Sequence, residues 1–155
     1  MEITGLPVHA LVVHAAVVLI PLTALAVIVF AMVPGSRWLL RWPVAIVALA
    51  CVGLAFLATT SGGSLAQARG LQPLVEVHEE RGTLLAGATI GFPVLVALGA
   101  TLLAGASPLA SGRGTWSSPA PSWDKVLVPL LVVAALGIIV LVVLVGHSGS
   151  RAVWG

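Results

Sequence analysis

Four long stretches of this chain contain no Asp, Glu, Lys or Arg, and they decide what it can fold into. The stretches are residues 3–36, 42–68, 82–112 and 126–150. Each holds at least the ~20 apolar residues that a helix needs to cross a hydrocarbon core about 30 Å thick. Because barrel strands alternate in short segments, uninterrupted runs of this length indicate helices. The sequence therefore predicts an all-α integral membrane protein, an up-down four-helix bundle in contact with the lipid bilayer.

Composition agrees with a membrane protein and excludes other classes. Hydrophobic residues make up 59% of the chain and charged residues 8%, whereas soluble domains carry about 25% charge. The net charge is only +2, and no basic cluster is dense enough for nucleic acid. The single cysteine, Cys51, cannot form an internal disulfide and is expected to be a small buried side chain. We expect one transmembrane domain over residues 1–155.

The apolar stretches can be narrowed to four predicted spans. These are residues 8–33, 43–60, 82–104 and 126–145. Residues 34–42 form a short connection, which makes the first two spans antiparallel neighbours. The third helix is expected to extend beyond the lipid, starting after Pro73, because proline is tolerated at a helix start. Residues 106–125 are rich in Ser, Gly and Pro and predict a flexible linker.

The basic residues give the chain an expected orientation. The first and third connections hold Arg37, Arg41, Arg113 and Lys125, and the opposite side holds Arg69, Arg81 and Arg151. Cytoplasmic loops of membrane proteins carry an excess of Lys and Arg. The side with four basic residues is therefore predicted to be cytoplasmic, with both termini outside.

All four histidines fall at one face of this bundle. His9 and His14 open the first span, His78 precedes the third, and His147 closes the fourth. Polar residues at a membrane boundary are costly, and neutral imidazole is the commonest ligand of transition metals and haem iron. The alternative for each is an interfacial side chain with a satisfied hydrogen bond.

Depth and rotation separate these histidines. His9, His78 and His147 are expected at one level, and His14 lies about 7.5 Å deeper. His9 and His14 are also ~140° apart around the helix, so at most one of them faces the bundle centre. His14 is expected to face the protein interior, because only apolar residues surround it. We therefore expect two or three true ligands among the four.

Two cofactor chemistries fit these positions. A b-type haem would take His14 or His9 from the first span and His78 from the third, since these spans are diagonal in a simple bundle. Alternatively, His9, His78 and His147 would bind one Zn or Cu ion, with Glu79 as a fourth ligand or as an orienting group. A third possibility is a cofactor-free structural subunit of a larger membrane or redox complex. Because the chain has no nucleophile–base–acid set, an electron-transfer or accessory role is expected rather than a stand-alone enzyme.

The stretch Gly146-His147-Ser148-Gly149 has two interpretations. Its glycines would let the backbone approach a bulky group closely. They would serve equally well to end the fourth helix.

Three short motifs carry a family resemblance. They are Leu6-Pro7-Val8-His9 followed by Val13-His14, then Glu76-Val77-His78-Glu79, and finally Gly146-His147-Ser148-Gly149. With these motifs the chain resembles an uncharacterised bacterial membrane family, the domain of unknown function numbered 2231. That family is loosely grouped with histidine-ligated membrane cytochromes of the four-helix kind. The resemblance implies a multi-pass protein of a bacterial membrane and favours a haem, which the orientation predicted from the basic residues places near the extracytoplasmic face of the inner membrane.

Overall fold

The structure, a computed structural model, describes residues 2–3, 6–103 and 123–154, with side chains from residue 9 onward. Its helices are α1 (Val8–Met32), α2 (Arg37–Arg69), α3 (Gln72–Leu102) and α4 (Asp124–Trp154). A short 3₁₀ helix, Pro34–Ser36, joins α1 to α2. Two antiparallel strands of two residues each, β1 (Glu2–Ile3) and β2 (Leu6–Pro7), precede α1. The predicted linker falls almost entirely on residues 104–122, which lie outside the described ranges.

The helices form the predicted membrane bundle. Within the described residues, four helices are long and apolar enough to cross a membrane. Both α1 and α3 pack against α2 and α4, so α1 and α3 are diagonal to each other. Large apolar side chains cover the outward faces, including Leu22, Ile46 and Val133, and these faces contact lipid. The prediction of an all-α four-helix membrane bundle is confirmed.

The helices extend well past the predicted spans at several ends. Helix α2 includes most of the predicted first connection and continues to Arg69. Helix α3 begins at Gln72, close to the expected start near Pro73. Helix α4 runs through Gly146 and Gly149 to Trp154, so these glycines do not end it. Charged residues mark where lipid exposure ends, but a helix can continue into water while its hydrogen bonds are intact.

The turn between α2 and α3 needs only two residues because of a glycine. Gly70 has φ +64°, a left-handed conformation, and its N–H donates to the carbonyls of Ala66 and Gln67. This is the usual way for a glycine to close the last turn of a helix. The chain reverses here without a long loop, which places the end of α2 beside the start of α3.

The bundle core is built from small and medium apolar side chains. Phe30, Val96 and Leu131 are almost completely buried, and Cys51 is buried as predicted. Gly99 lets α3 approach its neighbours closely, since a Cβ there would lie 2.8 Å from Leu131 Cδ1. Membrane helices commonly pack through such small residues.

A buried arginine closes the end of the bundle opposite the histidines. Arg37 is only 6% exposed. Its Nη1 donates to Asp124 Oδ2 at 2.9 Å and to the Leu103 carbonyl at 3.3 Å, and its Nη2 donates to the Ala31 carbonyl at 2.9 Å. Arg37 therefore connects the starts of α2 and α4 to the ends of α1 and α3. Sequence reasoning treated it only as a loop charge.

Candidate functional site

A cavity of about 400 Å³ lies at the end of the bundle where α2 turns into α3. All four helices line it, and along α1 the lining extends from His9 to Ile20, about 16 Å at 1.5 Å per residue. Most lining residues are apolar or glycine. The polar side chains in the lining are His9, Thr59, His78, Glu79 and Thr83. We call this space the histidine cavity.

His9 is held in a defined orientation by α2. The ring is partly buried, with Nδ1 3.0 Å from the Ala58 carbonyl oxygen and 3.3 Å from Ser61 Oγ. A carbonyl oxygen only accepts, so Nδ1 carries the hydrogen and the neutral ring keeps its lone pair on Nε2. The ring lies against Gly62, where an added Cβ would come within 2.8 Å of His9 Cε1. A larger residue at this position would force the ring to shift.

His78 is held by α4 in the same way. Its Nδ1 donates to the Val145 carbonyl at 3.1 Å. An added Cβ at Gly149 would lie 3.0 Å from His78 Cε1 and 3.1 Å from Nδ1. The buried Ser148 donates through Oγ to the same Val145 carbonyl at 3.0 Å. His78 therefore also keeps the lone pair of its neutral ring on Nε2.

Glu79 adds a carboxylate to the same cavity. Its side chain is partly buried, and Oε1 lies 3.7 Å from the position of an added Cβ at Gly63. The carboxylate brings a negative charge into a largely apolar lining, where charge interactions are stronger than in water.

His14 lies outside the cavity, and the expectation that it faces the protein interior is wrong. Its side chain is exposed, and Nδ1 donates to the carbonyl of Ala10 on the same helix. Since His9 faces the cavity, the ~140° rotation between them turns His14 outward. The bond to its own helix satisfies one ring nitrogen there. The predicted pair of His14 with His78 is therefore not assembled.

His147 also faces away, which corrects the expected ring of three histidines. It is exposed, because it follows Val145, a lining residue, by two positions and is rotated ~200° from it. Among the described residues, no three His, Cys, Asp or Glu side chains are grouped closely enough to hold a metal ion. The set of His9, His78, His147 and Glu79 proposed for Zn or Cu is therefore not brought together.

Sequence reasoning missed the residues that hold the two rings. Ser61 and Gly62 follow Ala58 by three and four positions, and Ser148 and Gly149 follow Val145 by the same intervals. The signal was a Ser-Gly pair near the end of both even-numbered helices. From the sequence alone only the second pair is predicted as a possible close approach, and neither pair is linked to a histidine.

Fold and site together define a four-helix integral membrane protein with two inward-facing imidazoles in an apolar cavity. The chain belongs to the family described as Predicted membrane protein (DUF2231), whose profile matches residues 5–155. The predicted membership is confirmed, whereas the likeness to cytochromes gains no support from this match. No curated protein and no solved structure matches the chain.

Proposed function

We propose that this protein binds a b-type haem between His9 and His78 and transfers electrons in a bacterial membrane. The observation that carries the proposal is the pair of imidazoles in one cavity, on the diagonal helices α1 and α3. Both rings donate Nδ1–H to a backbone carbonyl. Ligating histidines usually donate their second ring nitrogen in this way.

The residues of the histidine cavity fit such a group. Neutral imidazole is a common ligand of haem iron, and His9 and His78 would hold the iron through Nε2, the available donor atom on each ring. The volume of about 400 Å³ is within the usual range of ligand and cofactor sites, roughly 300–1,000 Å³. His9 replaces His14 as the partner of His78, because His9 lines the cavity and His14 does not.

The chain itself would contribute orientation, basicity and a dry environment. The hydrogen bonds to Ala58 and Val145 fix the ring planes and make Nε2 more basic. The apolar lining would limit the contact of a bound group with water, and the Glu79 carboxylate would favour its more positive redox state. A bound haem would supply the one-electron chemistry.

The proposal is tested on the wild-type protein purified in detergent from cells with ample haem. We expect a sharp α band and a Soret shift on reduction, with stoichiometric haem and little Zn or Cu by elemental analysis. A colourless preparation with stoichiometric Zn or Cu would overturn the haem proposal in favour of a metal-binding or sensing module. A preparation with neither would overturn it in favour of a cofactor-free subunit of a larger complex.

The proposal includes an orientation, with the histidine cavity on the extracytoplasmic side of the bacterial inner membrane. It rests on the sequence count of four basic residues in the predicted first and third connections against three on the opposite side. Helix α4 ends on the cavity side, so a reporter fused after residue 155 shows where the cavity lies. We expect an alkaline phosphatase fusion to be active and a green fluorescent protein fusion to be dark. The reverse pattern would place the cavity on the cytoplasmic side.

A further inference from the structure

The two halves of the bundle bury corresponding positions. Each buried residue of α1 has a buried counterpart in α3 that lies 69 positions later, from Ala16 and Leu85 to Ala31 and Ala100. The reverse also holds: every described buried residue of α3 has a buried counterpart in α1. Thus α1 and α3 present the same face to the core, although their residue types differ.

In the second helix of each half the buried positions correspond with a shift of 87 only along the middle of the helix, because the buried residues nearer its ends lack a buried counterpart. The buried residues Val44, Ala48 and Cys51 of α2 correspond to Leu131, Ala135 and Ile138 of α4, which are also buried. The first residues of the two helices, Arg37 and Asp124, differ by the same 87 positions. The hairpin α1–α2 is therefore repeated as the hairpin α3–α4.

The histidine sites obey the same two shifts. His78 follows His9 by 69 positions, and Gly149 follows Gly62 by 87. The accepting carbonyls of Ala58 and Val145 differ by 87 as well, and each accepts from an imidazole and from a serine three positions later. We call each set of carbonyl, serine and glycine a ring seat: Ala58, Ser61 and Gly62 on α2, and Val145, Ser148 and Gly149 on α4.

The repeat also separates the site histidines from the other two. His9 and His78 are each other's counterparts. At the position equivalent to His14 the second hairpin has Thr83, and at the position equivalent to His147 the first hairpin has Thr60. His14, His147 and Thr60 are exposed. His9 and His78 are therefore the only histidines that occupy equivalent positions in the two hairpins, and each is held by a ring seat.

We infer that the protein is a tandem repeat of one helical hairpin, and that its ligand lies across the pseudo-twofold axis between the two ring seats. This axis runs along the bundle, as in other membrane proteins with parallel repeats. The Nε2 atoms of His9 and His78 are then equivalent ligand atoms. Gly62 and Gly149 are positioning residues that set the orientations of the two rings. The identity of the ligand as haem rests on the proposed function, whereas the equivalence of the ring seats does not.

The test adds one methyl group to each ring seat, in Gly62→Ala and Gly149→Ala. The controls are Gly53→Ala and Gly137→Ala on the same helices, where an added Cβ meets nothing within 4 Å. The first readout is the ¹⁵N NMR spectrum of the histidine rings in haem-free protein. We expect Gly62→Ala to shift the His9 resonances and Gly149→Ala those of His78, whereas the controls shift neither.

The second readout is haem affinity, measured on the same four variants. We expect each ring-seat variant to weaken binding by about 10–100-fold, the usual effect of disturbing a ligand's supporting contacts, and each control to bind like wild type. Should a ring-seat variant fail to fold, Ser61→Ala and Ser148→Ala disturb the same carbonyls more mildly and take its place in both measurements.

The outcomes separate this inference from the proposed function. If only one ring seat affects its histidine in haem-free protein, the two seats are not equivalent and the inference is overturned. If both seats pass the NMR test but no variant, including wild type, binds haem, the repeat stands and the haem proposal fails. If both ring-seat variants, or the serine variants that take their place, behave like the controls, the ring seats do not position the histidines and the inference is overturned.

Discussion

Replacing either His9 or His78 with alanine should remove the spectrum of the proposed haem, whereas the same change at His14 or His147 should leave it intact. His9 and His78 line the cavity with Nδ1 held by a backbone carbonyl. Loss of either ring would remove one of the two residues that would hold the haem iron. The measurement is the reduced-minus-oxidised spectrum and the haem content of each of the four purified variants.

His14 and His147 are matched controls because they are the same residue type, near the same end of the bundle, but exposed. They account for any general effect of losing a histidine on expression or stability. Retention of the spectrum in His9→Ala together with its loss in His14→Ala would contradict the site and restore the pair of His14 with His78. Loss in all four variants would mean that the cavity does not define the ligands.

Much of the fold was predictable because charge and hydropathy are strong signals in a membrane chain. The charge-free stretches correspond to the four helices, and Gly70 and Pro73 lie where α2 ends and α3 begins. The helix ends were harder to predict, because a helix that leaves lipid still satisfies its own backbone. Arg37 and Arg69 look like loop residues by charge, yet they are the first and last residues of α2.

The site was predictable in part. The spacing of His9 and His14 showed that only one of them could face the centre, but spacing gives relative and not absolute rotation. The absolute rotation of α1 is fixed by the residues that pack in the core, among them Ala16, Ala24 and Val27. A uniformly apolar helix hides this buried face, since its lipid-facing and core-facing residues are alike. For the same reason, the sequence of α4 does not show that His147 faces away from the core.

The repeat was hidden for a related reason. The two hairpins bury the same positions but not the same residue types. Phe30 has Gly99 as its counterpart, and Ile20 has Thr89. A comparison of residue types along the chain does not detect such a relation. It becomes visible once burial is known for each position.

Replacing Arg37 with methionine should destabilise the protein by about 3–5 kcal/mol, the usual cost of removing one partner from a buried ion pair. The change leaves the Asp124 carboxylate, only 17% exposed, without its cation. It also removes the donors from the carbonyls of Ala31 and Leu103. The free energy of unfolding is measured by reversible denaturation in mixed micelles of mild detergent and dodecyl sulfate.

Two further variants divide this cost between its sources. Lys125→Met removes an exposed cation beside Asp124 and should change the free energy of unfolding by no more than about 0.5 kcal/mol. The double variant Arg37→Met with Asp124→Leu should recover most of the loss, because an apolar pair often replaces a buried ion pair without cost. If the double variant is as unstable as Arg37→Met, the loss comes from the bonds to the helix-end carbonyls and not from the stranded carboxylate. If Arg37→Met is as stable as Lys125→Met, Arg37 does not hold this end of the bundle together.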